Sequence, residues 1–197
     1  MELRRVGRDA LLVEVPDALA ALALYDEARR RDVRASDIVP AARTVLFDGL
    51  PDVDALVAAL PGWEVPVTAA SGDLVEVPTT YDGEDLDDVA RLWAMTRDEV
   101  VGTHTSTEMV VAFCGFAPGF AYCTGLPEHL AVPRLDSPRS RVPAGSVGLA
   151  GPFTGVYPTP SPGGWRLIGR TELSLWDPGA DPPATLPPGT RVRFVAT

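Results

Sequence analysis

The chain is 197 residues long, enough for one large domain or two small ones, and at 46% hydrophobic and 22% charged residues it has room for a sizeable core. Acidic residues outnumber basic ones by 27 to 17, a net charge of −10 that disfavours DNA, RNA or an anionic membrane surface as a partner. Lysine and asparagine are absent and all 17 basic residues are arginine, which excludes P-loop phosphate binding, lysine-imine chemistry and N-glycosylation.

Glycine (18) and proline (20) make up about a fifth of the chain, so turns dominate its layout. Leu11-Leu12-Val13-Glu14-Val15 reads as a strand, followed by a helix that Pro16-Asp17 opens, with Asp17 placed to cap it. Leu19, Leu22, Ala23 and Tyr25 follow helical spacing, and Arg29-Arg30-Arg31 lies at the end where cations suit the dipole. Thr44 to Phe47 resumes a strand, and a second helix from Asp52 to Leu60 stops at Pro61-Gly62. The order reads β-α-β-β-α-β, a small ferredoxin-like layer of helices on a sheet within residues 1–75.

Over residues 76–197 the character changes. Val75-Glu76-Val77 is a short strand, Asp85 to Ala94 one helix and Thr96 to Val101 another, the latter opened by the capping-box pattern Thr96-Arg97-Asp98-Glu99. Beyond Glu108 helical periodicity is lost. Apolar runs at Met109 to Phe113, Trp165 to Ile168, Leu173 to Trp176 and Val192 to Val195 are separated by Gly/Pro turns, which predicts a β-barrel or sandwich and an α+β class for the whole. Charge is segregated as well: residues 76–108 hold nine acids against two arginines, and residues 134–193 hold seven arginines against four acids. The acidic block reads as a solvated helix face or a binding device. The arginines sit beside turns.

No apolar run approaches the roughly 18 residues of a membrane span. Cys114 and Cys123, with eight residues between them, match neither a zinc-knuckle nor a redox spacing and read as buried thiols in a reduced, cytoplasmic protein. Neither histidine has a carboxylate cluster at ligand spacing, so no metal site is expected. His129 falls on a surface turn, whereas His104, at the exit of the acidic helices, is the candidate for proton transfer near neutral pH or a histidine bonding backbone at a helix end.

The densest signal runs from Phe116 to Gly169. In an extended segment Arg139 and Arg141 point to one side and present two guanidinium forks suited to a carboxylate or phosphate; an intramolecular ion pair or an acidic partner surface would use the same groups. Gly145 and Gly148 around Ser146 form either an anion-binding nest of backbone N–H groups or a plain tight turn. Ala144 stands where a serine-hydrolase elbow needs glycine, so Ser146 is a poor nucleophile. Phe116, Phe120, Tyr122, Tyr157 and Trp165 line a pocket or interface, or pack the core.

These stretches read Gly115-Phe116-Ala117-Pro118-Gly119-Phe120-Ala121-Tyr122 through Leu126, Pro138-Arg139-Ser140-Arg141-Val142-Pro143-Ala144-Gly145-Ser146 through Gly151, and Ser161-Pro162-Gly163-Gly164-Trp165 through Thr171. Here the chain resembles the family variously called allophanate hydrolase subunit 1, the B subunit of 5-oxoprolinase, and the Kip-type inhibitor of sporulation kinases. The resemblance extends over nearly the whole chain, Tyr81 and His104 included. It implies a small α+β domain followed by a cyclophilin-like β-barrel.

The resemblance also implies partners: the homologous, cyclophilin-like C subunit (allophanate hydrolase subunit 2) and a third component, the A subunit, which together open 5-oxoproline to glutamate with ATP. ATP is then bound by the complex and not necessarily by this chain, which is expected to be inactive alone. The site residues carried over are His104, Arg139, Arg141, Ser146, Tyr157 and Trp165, with Gly145 from the turn beside them. Two other activities fit the same family, inhibition of a sensor histidine kinase and a role in an allophanate hydrolase or urea carboxylase-related complex.

Overall fold

The computed structural model describes residues 1–66 and 72–197, and the chain divides into two units, Met1–Ala69 and Ala70–Thr197. The first contains β1 (Glu2–Val6), β2 (Ala10–Glu14), α1 (Ala18–Arg30), β3 (Asp37–Pro40), β4 (Thr44–Asp48) and α2 (Val53–Ala59). Its antiparallel sheet has the order β1-β2-β4-β3. Alternation along β2 and β4 sends Leu11, Val13, Val45 and Phe47 into a core shared with Leu24 of α1 and Leu56 of α2. Asp17 caps α1 by accepting from the Ala20 N–H at 2.8 Å, and Asp52 caps α2 from the Ala55 N–H at 3.0 Å.

Two sequence-based expectations change here. The element order is ββαββα, with the outer sheet position beside β2 taken by β1 and not by a strand after α2. Residues 63–66 form no strand, and 67–71 lie outside the described residues. β1 carries no apolar alternation because it is an exposed edge strand, on which Glu2, Arg4 and Arg5 discourage pairing with a further chain. The buried face of α1 is also rotated: Ala21, Leu22, Leu24 and Ala28 point inward, while Leu19 is exposed.

The second unit runs β5 (Leu74–Thr79), α3 (Leu86–Trp93), α4 (Arg97–Ser106), β6 (Met109–Cys114), β7 (Ala121–Thr124), β8 (Arg139–Val142), β9 (Ser146–Ala150), β10 (Phe153–Val156), β11 (Ser161–Gly163), β12 (Arg166–Arg170) and β13 (Arg191–Ala196). The boundary drawn at residue 75 therefore falls inside β5. Seven strands form one sheet in the order β12-β9-β10-β7-β6-β13-β5, and β8 pairs with β11 in a separate ribbon. β9 is buried along its whole length, so it reads as a continuous apolar run without alternation. Leu173 to Trp176, expected as a strand, is irregular: Leu175 fills the core, and only Trp176 makes a bridge, to Ala184.

The sheet is nearly closed into a barrel, and the seam lies between β5 and β12. Thr80 and Arg170 exchange two backbone hydrogen bonds of 2.9 Å, and the Gly83 and Asp85 N–H groups donate to Ile168 O (3.2 Å) and Leu167 O (2.9 Å). Asp85, buried at 5% exposure, returns the contact: its carboxylate accepts from the Leu167 N–H at 2.6 Å and from Arg139 Nη2 at 2.8 Å on both oxygens. Asp82 pairs with Arg170, Glu84 with Arg139 (2.6 Å) and Asp88 with Arg166 (3.2 Å). The acids that follow β5 thus stitch the barrel shut. Removing one partner of a buried pair leaves the other charge uncompensated, so Asp85→Ala is expected to lower the unfolding free energy by about 3–5 kcal/mol. Glu108→Ala, on an exposed pair with Arg191, should change it little. Urea denaturation of both variants checks the contrast.

Candidate functional site

Of the site residues carried over from the resemblance, Tyr157 and Trp165 come together in one place. They wall a pocket of about 210 Å³ with Phe116, Phe120 and Tyr122, floored by Pro162, Gly163 and Gly164 and edged by Pro138 and Arg134. The rings meet edge to face: Phe120 lies 5.2 Å from Tyr157 at 90° and 5.3 Å from Trp165 at 82°, and Phe116 lies 5.3 Å from Phe120 at 75°. Such pairing holds aromatic walls in fixed orientation. The first glycine of the S-P-G-G-W motif is explained by close approach, since a Cβ on Gly163 would collide with the Tyr157 hydroxyl. Tyr157 is also one wall of a neighbouring cleft of about 510 Å³, with Gly145, Thr171, Glu172 and Trp176 around it. Burial raises the Tyr157 phenol pKa, against a backbone hydrogen bond from Trp165 and the charges of Arg134 and Arg139.

The paired-fork expectation for Arg139 and Arg141 does not hold. Val142 pairs with Ser161 and Arg139 with Gly163, so β8 advances three residues while β11 advances two, and the bulge breaks the alternation that would aim both side chains one way. Arg139 is held by Asp85 and Glu84 and donates to Trp165 O at 3.2 Å. Arg141 is exposed, with no ion-pair partner among the described residues.

The Gly145 turn is a plain turn and not an anion nest. Gly145 has φ +78°, its N–H donates to Tyr157 O at 2.8 Å, and the Ser146 N–H points to Pro143 O at 3.4 Å. A Cβ at Gly145 would strike Thr171 O, so glycine is required by both backbone and space. Ser146 is itself buried.

His104 is corrected as well. α4 continues past Val101 to Ser106, which carries His104 into the barrel interior at 0% exposure, against Phe194 at 4.5 Å. Its Nδ1 lies 2.6 Å from the Tyr81 hydroxyl and its Nε2 3.3 Å from Thr154 Oγ1, and either tautomer satisfies both hydroxyls. Burial pushes its pKa down to about 3, so it is a neutral core residue and not a proton-transfer group. The thiols are equally unreactive, burial pushing Cys114 up to about 11 and Cys123 up to about 12. Among the described residues no group of three or more His, Cys, Asp or Glu is placed to hold a metal ion, and no helix is long and apolar enough to cross a membrane.

Sequence reasoning missed Asp85 as a buried carboxylate, Thr154 as the second partner of His104, and Arg134. The charge segregation was the available signal. Arg139, Arg166, Arg170, Arg191 and Arg193 all find their carboxylates in the acidic block, which leaves Arg134 and Arg141 outside the ion pairs of the described residues.

Comparison with known proteins places this geometry in context. Residues 1–186 match the model of the carboxyltransferase domain, subdomain C and D. Over 124 residues, 61% of the chain, it is 53% identical to the B subunit of 5-oxoprolinase from Escherichia coli, and the match spans 57% of that protein. Over 157 residues, 77% of the chain, it is 42% identical to the B subunit of 5-oxoprolinase from Haemophilus influenzae, and the match spans 74% of that protein. The solved structure of TTHA0988 superposes on 96% of the chain with TM-score 0.80 and 34% identity, and the match spans 40% of that protein. The urea amidolyase of K. lactis shares the fold, with TM-score 0.76 and 20% identity over 99% of this chain and 15% of that one.

The burial of His104 has a measurable consequence. Its folded pKa of about 3 lies below the ordinary 6.5, so between those values the unfolded chain binds the extra proton. Its contribution is therefore fully present above about pH 6.5 and declines on acidification, by on the order of 1 kcal/mol per pH unit. His104→Gln is expected to flatten that part of the stability profile, read by urea unfolding across the window.

Proposed function

Because the chain belongs to the family of carboxyltransferase domains, subdomains C and D, we propose that it works as one subunit of an ATP-dependent 5-oxoprolinase. In this reading it pairs with the homologous C subunit, and the enzyme is completed by the A subunit. The observation that carries the reading is its 42–53% identity to relatives named as the B subunit of 5-oxoprolinase. The reaction opens a five-membered lactam: water adds at the ring carbonyl, the C–N bond breaks, and the nitrogen leaves as the amine of glutamate. ATP supplies the driving force.

The chemistry of the chain supports an auxiliary, non-autonomous role. Among the described residues His104 is locked neutral in the core, His129 sits on a surface 3-10 turn, and both thiols are held far above neutral pKa values. Among the described residues that line the aromatic pocket, no pair of groups is suited to general acid and base work near neutral pH. In this reading ATP binds a companion subunit; the chain has no lysine for a P-loop, and its Gly145 turn engages its N–H groups internally. Unpaired, high-pKa thiols suit a reducing cytoplasm.

Co-expression with the candidate A and C subunits tests the proposal. The assembled complex should release glutamate from 5-oxoproline in step with ATP hydrolysis, and omission of this chain, or its use alone, should abolish release. Full turnover by the chain alone, or by the other two subunits without it, would overturn the assignment.

A further inference from the structure

We infer that the pocket walled by Phe116, Phe120, Tyr157 and Trp165 binds a small ring-bearing monoanion, its carboxylate paired with Arg134 and its ring laid against the aromatic walls. Arg134 is the single charged side chain among the lining residues. Five of the seven arginines in residues 134–193 have carboxylate partners, and Arg134 has none among the described residues. Asp136, two positions on, is exposed and makes no ion pair there. The charge of Arg134 is felt inside the pocket, where it opposes the burial-driven rise of the Tyr122 and Tyr157 phenols. A cation would be repelled from this edge; a carboxylate would gain a charge-assisted, two-pronged hydrogen bond.

Size and backbone strain narrow the ligand. At about 210 Å³ the pocket is smaller than the roughly 300–1,000 Å³ typical of drug-sized ligands, so its occupant is compact. Phe116 stands at its mouth, 62% exposed, with φ +69°. The Ala117 N–H donates to Gly115 O at 2.8 Å, so Phe116 is the centre of a positive-φ γ-turn, the rare and strained form. Among the described residues the other two non-glycine residues at positive φ, Asp32 and Ala94, lie at helix ends where such a conformation terminates the helix. Phe116 has no such role, and a bulky side chain kept in that strained conformation points to function at the mouth.

The inference rests on the proposed function for the ring of the ligand and for its first probe, since 5-oxoproline is a compact ring with one carboxylate. Amide and indole N–H spectra of the isolated full chain are recorded with 5-oxoproline, cyclopentanecarboxylate and 2-pyrrolidinone, which lacks the carboxylate. Both acids should shift the Trp165 indole and the Gly163 and Gly164 amides saturably, and 2-pyrrolidinone should bind at least about tenfold more weakly. Arg134→Gln should bring the affinity of the acids down to that of 2-pyrrolidinone. Phe116→Gly should weaken binding while raising the melting temperature or leaving it unchanged. No saturable shift with either acid, equal affinity for 2-pyrrolidinone, or undiminished binding in Arg134→Gln would each overturn the inference. If the acids fail to bind while the assembled complex opens 5-oxoproline, the pocket assignment falls and the proposed function stands. Binding without turnover by the complex would do the reverse.

Discussion

The second unit depends on closing a seam that backbone pairing alone leaves almost open. β5 is held on one side by its parallel partner β13, and toward β12 by the Thr80–Arg170 bridge and two further N–H donations. The carboxylates that follow β5 complete the closure. Asp85 is the centre of it, because its side chain occupies the ladder position of a missing strand residue: it takes the Leu167 N–H while its own N–H goes to Leu167 O. A buried carboxylate with that many donors is not a weak surface pair, and Arg139 neutralises it.

The seam also builds the wall of the pocket. Arg139 reaches from Asp85 to the carbonyl of Trp165, and Leu167, two residues further along, is tied to Asp85. The Trp165 ring therefore hangs from a stretch fixed at both its carbonyl and the adjoining strand. An arginine that reads from sequence as a ligand for an external anion has its donors committed to an internal carboxylate and a carbonyl. Its connection to the pocket runs through Trp165.

Local signals were legible wherever the cause was local. The cap at Asp17 and the Thr96–Glu99 capping box are fixed by residues three positions apart, and the structure forms both. The aromatic motif was legible as a candidate pocket because Gly and Pro confine its rings to turns. What failed depended on distant partners. β1 hides behind the charge pattern of an edge strand, and the bulge that separates Arg139 from Arg141 is set by β11, some twenty residues away. His104 reads from sequence as a proton-transfer candidate or a histidine bonding backbone at a helix end, whereas burial between Tyr81 and Thr154 supplies the hydroxyls that make a core histidine tolerable.

Arg134 and Arg139 show how context separates two identical side chains five positions apart. The side chain of Arg139 is 20% exposed and bonded to two carboxylates and a carbonyl, so a further anion would have to displace partners already in place. Arg134 is exposed, beside rings that exclude water from one side, where a guanidinium retains its full capacity for a bidentate bond. In the proposed site recognition therefore falls to Arg134, which with Arg141 is left outside the ion pairs of the described residues and which alone of the two lines the aromatic pocket. The same segregation of charge that closes the barrel selects which cation remains available at its aromatic pocket.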